Sequence, residues 1–162
     1  EIENFLKTKN MKLLKAEVSE SFGDWYEIWG SDLLEFIFKR DRDHESINVR
    51  KKGAPNFGYS LSLLRKLMIR RGEIQGRGEI RGMSSLCEFI IKYYDQIEDL
   101  FLTDRYPKTQ KEMKYIKYER YKKMFPNNCP PMERESFLLD QLEKIKTIIL
   151  KIMANLLRGF KI

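Results

Sequence analysis

The sequence predicts an α+β protein: an N-terminal helix, a four-stranded antiparallel meander, and then about four helices packed on one face of the sheet. Three observations carry that expectation. Between Ser21 and Val49, apolar residues recur at period two: Tyr26 and Ile28, then Leu34, Phe36 and Phe38, then Ile47 and Val49. Side chains two apart on a strand share a face, so these residues are expected together on the core side. Turn formers separate the runs, with Gly30-Ser31-Asp32 between the first two strands and Asp41 to Glu45 before the third. Beyond Gly58 the spacing changes to three and four, the helical period.

Taken in order, Glu1 to Lys9 reads as a short helix whose Ile2, Phe5 and Leu6 cover a sheet edge. Met11 to Glu20 follows as a strand in which Leu14, Ala16 and Val18 alternate with Lys15, Glu17 and Ser19. On the meander, Trp25, Glu27 and Trp29, with Leu33, Glu35, Ile37 and Lys39, are expected on the face away from the core. That mixture is too polar for a core and too aromatic for plain solvent, which makes Trp25 and Trp29 candidate partner contacts.

Arg50 to Gly58 is rich in charge and turn formers and should end the sheet. Ser60 or Ser62 is placed to cap a helix running to Arg71, with Leu63, Leu64, Leu67 and Met68 as its apolar stripe. The segment from Arg71 to Gly82 contains Arg-Gly-Glu-Ile twice. Two copies cannot bury a continuous core as a repeat array does, so it reads as an inter-helix loop. Ser84 to Leu102 is a strongly amphipathic helix. Leu86, Phe89, Ile90, Tyr93, Ile97, Leu100 and Phe101 occupy one arc, and Glu88, Asp95 and Asp99 form an acidic stripe opposite. That stripe is either a solvated face or a docking edge for a basic partner.

Lys108 to Phe125 resumes as a helix, with Met113, Ile116 and Met124 on a narrow face and Lys111, Lys114, Tyr118, Tyr121 and Lys122 around the rest. Interleaved aromatic and basic residues suit base stacking with phosphate contact, or a protein interface, or tyrosine rings packed on the fold with their hydroxyls in water. We take the last as the expectation. Glu133 to Leu157 is the longest helical run, with Leu138, Leu142, Ile145, Ile149, Ile152 and Leu156 forming a seam. Leu139, Ile148, Leu150, Met153 and Leu157 widen its apolar arc, which favours burial among helices, while a homo-oligomer through 133–158 is the alternative use.

The totals suit one domain, 1–162, with a sheet-rich half over 1–58 and a helical half over 59–162. At 162 residues and 42% hydrophobic content the chain is long enough to bury a sizeable core. No run is long and apolar enough for a membrane span, and the first residues lack a signal-peptide pattern, so the expectation is a cytoplasmic protein with no membrane partner. Net charge is +7, concentrated where residues 65–82 carry six basic and two acidic groups and 104–125 carry eight and three. Such stripes attract phosphate backbones or acidic proteins.

Chemistry finds little purchase. Cys87 lies in a helical pattern and Cys129 in the loop 126–131, neither at metal-ligand spacing, so neither a metal nor another cofactor is expected. The single histidine, His44, stands beside Asp41, Asp43 and Glu45, but neighbours on a hairpin point to different sides and the cluster reads as a charged turn. The glycine run matches neither a phosphate loop nor a dinucleotide fingerprint. No catalytic residues are nominated, and the chain does not read as an enzyme.

The runs from Ser19 to Tyr26, Leu34 to Asp43 and Ile47 to Arg50, with looser likeness in Tyr59 to Leu67 and Tyr93 to Phe101, resemble small immunity proteins of bacterial contact-dependent inhibition and related polymorphic toxin systems. The likeness covers about the first hundred residues, and the Asp-Arg pair after a hydrophobic strand is its most telling piece. It departs at Asp43, where glycine is often found, and in the Gly-rich loop and second tyrosine-rich helix. The resemblance implies a non-enzymatic protein that binds one cognate toxin domain, often a nuclease, and blocks its active site or substrate path. No contact residue transfers by motif. From the residues themselves, the partner-binding candidates are Trp25, Trp29, Glu88, Asp95, Asp99, Tyr118 and Tyr121. The alternative is a nucleic-acid-binding protein using Lys111, Lys114, Lys122, Arg71 and Arg77.

Overall fold

A computed structural model describes residues 1–18, 24–42, 44–54, 58–76 and 80–127. The chain divides into two units, Glu1–Lys117 and Tyr118–Ile162. The predicted helix from 133 to 157, the oligomer seam on it, Arg77 and Cys129 lie outside the described residues.

The first unit is α+β. Helix α1 (Ile2–Thr8) leads into strands β1 (Lys12–Val18), β2 (Trp25–Gly30), β3 (Leu34–Asp41), β4 (His44–Lys51) and β5 (Tyr59–Ser60). Helices α2 (Leu61–Arg70), α3 (Met83–Asp99) and α4 (Tyr106–Met124) follow, with the residues of α4 from Tyr118 onward belonging to the second unit. The sheet is an antiparallel meander in the order β1-β2-β3-β4-β5.

Local chemistry explains the breaks. Helix α1 stops because Asn10 adopts φ 57, a left-handed conformation that asparagine tolerates. Asn10 N–H then donates to Lys7 C=O and Met11 N–H to Leu6 C=O, both at 3.0 Å, while the Leu6 and Met11 side chains are buried. This doubly bonded helix end with an apolar clasp is a Schellman motif. Helix α2 ends the same way through Gly72 (φ +74), with Gly72 N–H on Ile69 C=O and Glu73 N–H on Met68 C=O. Its first turn differs from expectation, since Ser60 occupies the cap position but makes no side-chain cap bond.

The expected four strands become five. Asn48 pairs with Ser60 and Val49 with Tyr59, so the segment after β4 returns to the sheet. Gly58 makes the approach feasible, because a Cβ there would stand 2.3 Å from the Val49 carbonyl oxygen.

A larger correction concerns β2. Trp29 lies opposite Phe36 and Glu27 opposite Phe38, whereas Tyr26 and Ile28 face Lys39 and Ile37. Trp25, Glu27 and Trp29 therefore share the core side, and Tyr26 and Ile28 the other, the reverse of the expectation. The turn sets this phase. Ser31 Oγ accepts from the N–H groups of Leu33 and Leu34 at 3.2 and 3.3 Å, and Ser31 N–H donates to Leu34 C=O at 2.9 Å. A turn over Ser31 to Leu34 brings Gly30 opposite Glu35 and slips the register by one from that of a three-residue connection, exchanging the faces of β2. Burial agrees, since an indole removes roughly 150–250 Å² from water, more than the isoleucine that would replace it.

The core joins Phe36, Phe38, Ile47 and Val49 from the sheet to Leu6, Met11, Trp29, the α2 leucines and Met68, then Phe89, Ile90, Tyr94 and Ile97 of α3, and Met113 and Ile116 of α4. Tyr94, absent from the predicted stripe, is buried against the rings of Phe5 and Phe36 at 5.8 and 6.1 Å. At Tyr93 the helix departs from helical dihedrals (φ −124, ψ 23). Met124, predicted on the apolar face of α4, is exposed, and Thr109 is buried beside Met113 and Ile116 in its place. Strand β1 is exposed along its whole length, and a bulge between Leu13 and Lys15 breaks the alternation expected there. Among the described residues no helix is long and apolar enough to cross a membrane.

Candidate functional site on the open face of the sheet

The face of the sheet opposite the core residues Phe36, Phe38, Ile47 and Val49 carries a groove of about 700 Å³. The described residues that line it all come from β1 to β4 or stand beside them. Tyr26, Ile28 and Ile37 supply its apolar floor, and the phase of β2 puts the first two there. Glu35, Ile37 and Lys39 fall on this face as the alternation of β3 predicts.

Most charged groups around the floor come as pairs of opposite sign, while Arg40 donates to the Arg42 carbonyl and Asp24 accepts from the Arg42 N–H. Lys15 Nζ lies 2.5 Å from Glu17, and the ammonium stands 5.1 Å from the centre of the Tyr26 ring. Hydrogen bonding to Glu17, then to Tyr26, holds the Lys15 pKa above that of a free lysine, and the bond from Lys15 holds the Glu17 carboxyl below its usual range. Lys39 lies 3.4 Å from Asp41. Arg50 Nε donates to Glu35 at 2.5 Å, and the Glu35 side chain is only 8% exposed. This alternation of sign offers a rim that many polar surfaces can meet, while leaving little unbalanced positive potential.

The predicted contact residues scatter. Trp29 is buried at 4% exposure on the core side of the sheet, with its indole N–H on Glu27 at 3.1 Å and Lys7 Nζ 6.0 Å from its ring, so it is not part of the groove. Trp25 packs partly against the core and also lines the groove. The acidic stripe on α3 is largely balanced. Asp95 accepts from Lys9 at 2.7 Å, Asp99 pairs with Arg105, and Glu88 receives the Ser84 hydroxyl at 3.4 Å. In the second unit Tyr121 is exposed and its ring stands 4.9 Å from Phe125, while Tyr118 is half-buried.

The residues of the nucleic-acid alternative fare differently. Arg71, expected as a phosphate contact, is 17% exposed and donates through Nε to Glu112 at 2.8 Å, with Glu73 at 3.6 Å. It ties the end of α2 to α4. On α4, Lys114 and Lys122 are exposed and Lys111 is half-buried. Several tyrosine faces already carry cations: Arg70 stands 4.9 Å from the Tyr115 ring, Lys51 5.1 Å from Tyr106 and Lys117 4.8 Å from Tyr59. A covered ring face is not free to stack on a base.

His44 begins β4 opposite Asp41 and is exposed. Among the described residues no group of histidine, cysteine and carboxylate side chains converges as a metal site. Sequence reasoning missed Tyr26, Ile28 and Asn48 as groove residues. The signal was available in Ser31, whose hydroxyl favours the turn that sets the phase of β2.

Comparison with protein-family models, curated proteins and solved structures finds no match for this chain.

Proposed function

We propose that the chain is a non-enzymatic immunity protein that neutralises a cognate toxin domain by receiving part of it on the open face of the sheet. The observation that carries the reading is the groove itself: an apolar and aromatic floor of Tyr26, Ile28 and Ile37 inside a rim of opposite-sign pairs. Interfaces of this kind place aromatic anchors at the centre and polar groups at the edge. The occupant is a protein surface with an apolar projection and charges of both signs around it. A nucleic-acid backbone, which presents one sign only, would meet cations already engaged by Glu17, Asp41 and Glu35. The resemblance of the sheet-rich half to immunity proteins of toxin systems supports the same reading.

The test is to look for a toxin-like domain in the neighbouring reading frame and to co-express the chain with it. The expected results are co-purification and rescue of growth. Tyr26→Ala and Ile28→Lys, on the open face, should each weaken binding about tenfold or more, with circular dichroism unchanged. Rescue that survives both substitutions would remove the groove from the reading. Absence of any complex, together with tight binding of generic RNA that collapses as salt rises, would replace the reading by a nucleic-acid one.

A further inference from the structure

The edge of the sheet points to a second interaction, at β1, whose Lys15 and Glu17 also stand on the rim of the groove. Among the described residues strand β1 stands at the edge of the sheet, with every residue exposed, including Leu13 at 48%, Leu14 at 54% and Val18 at 75%. An edge strand presents a row of backbone N–H and C=O groups that another strand can pair with, and natural edges are commonly guarded by a bulge or a lysine. Both guards are weakened here. The bulge ends at Lys15, leaving Lys15 to Val18 regular, and the Lys15 charge is balanced by Glu17.

We infer that β1 pairs antiparallel with β1 of a second copy of this chain, about a two-fold axis at Ala16, so that Lys15 of each copy lies opposite Glu17 of the other. The register follows from charge. Lys15 and Glu17 lie on the same face, opposite Ile28 and Tyr26, and Ala16 on the other. Self-pairing that keeps each face continuous must centre on one residue. Centring on Lys15 opposes two lysines, and centring on Glu17 opposes two glutamates. Like charges directly opposite are unfavourable, and opposite charges favourable. Centring on Ala16 satisfies both pairs at once and puts the smallest side chain of the strand on the axis. Because the two copies meet with the same face up, the two open grooves lie side by side on one continuous sheet.

The run is short, so the association is weak and is measured by sedimentation equilibrium from about 10 µM to 1 mM. Wild-type protein should show reversible dimerisation across that range. Glu17→Lys and Lys15→Glu should each raise the dissociation constant about tenfold or more, since each opposes like charges at two places. An equimolar mixture of the two variants should recover dimers, because one copy then presents two lysines and the other two glutamates. Both side chains are about half exposed (52% and 53%), so the variants keep the fold, which circular dichroism confirms before the measurement. Wild-type protein that stays monomeric, single variants that associate as the wild type does, or a mixture that recovers nothing would each overturn the inference.

Discussion

Arg50 and Glu35 stand directly opposite one another on β4 and β3, joined at 2.5 Å beneath the rim of the groove, with the carboxylate almost wholly withdrawn from water. A buried carboxylate is tolerable only while its partner is present. Arg50→Met keeps most of the aliphatic stem and removes the guanidinium, and should cost about 3 kcal/mol. The double variant Arg50→Met with Glu35→Leu should be closer to wild type than Arg50→Met alone, since no uncompensated charge remains. Urea unfolding midpoints at constant slope measure both. A double variant worse than the sum of its parts would contradict the account.

The phase of β2 predicts losses of very different size at two aromatic residues of that strand. Trp29→Ala empties a core site and should destabilise by about 3–5 kcal/mol. Tyr26→Ala, on the half-exposed open face, should cost about 1 kcal/mol or less. Thermal unfolding distinguishes them, and comparable losses at the two positions would mean that the faces are not assigned as the register has them.

These two residues also show what the sequence carried and what it did not. Alternation within β3 and β4 placed Phe36, Phe38, Ile47 and Val49 correctly, because a strand buried on one face must alternate. Alternation cannot fix the relative phase of two strands, which depends on the turn between them, and the Ser31 hydroxyl bonds were decisive there. The helices were legible from their apolar spacing. Tyr94 was passed over even though it stands four residues after Ile90 and three before Ile97, because its neighbour Tyr93 satisfied the same pattern. Arg71 reads in sequence as a free cation beside a glycine. Its role emerges only when Glu112, far along the chain, arrives at 2.8 Å. Charge in a sequence is a count of groups, whereas potential on a surface depends on which of them are paired.

Cys87 is half-buried in α3, and burial pushes its thiol pKa upward, with the charges of Glu45 and Glu88 acting in the same direction. The thiolate is the reactive form, so alkylation by iodoacetamide at a pH of about 8 should run roughly tenfold slower in the folded protein than in urea. Peptide mass spectrometry on timed samples reads the rate at Cys87 separately from that at Cys129. Equal rates at Cys87 in the two conditions would show that the thiol is as accessible and as acidic as in an unfolded chain.

Tyr94 gives the expected alkaline response. Its ring is 3% exposed, and its hydroxyl donates to Glu98 at 3.2 Å. Burial first, then the charge of Glu98 and that hydrogen bond, raise its pKa above the ordinary value of 10.0. The neutral phenol is thus favoured in the folded state. Its contribution is fully present below pH 10.0 and is lost as pH rises from there through the folded-state pKa, because the unfolded chain releases its proton first. Tyr94→Phe cannot ionise and leaves the ring in place, so it should cost about 1 kcal/mol at neutral pH through the lost hydrogen bond and should show a shallower fall in stability above pH 10.0 than the wild type. Tyr59 and Tyr106, also raised by burial, keep part of that fall in the variant. Unfolding free energies measured on both sides of pH 10.0 decide the matter, and parallel curves for the two proteins would deny Tyr94 its role.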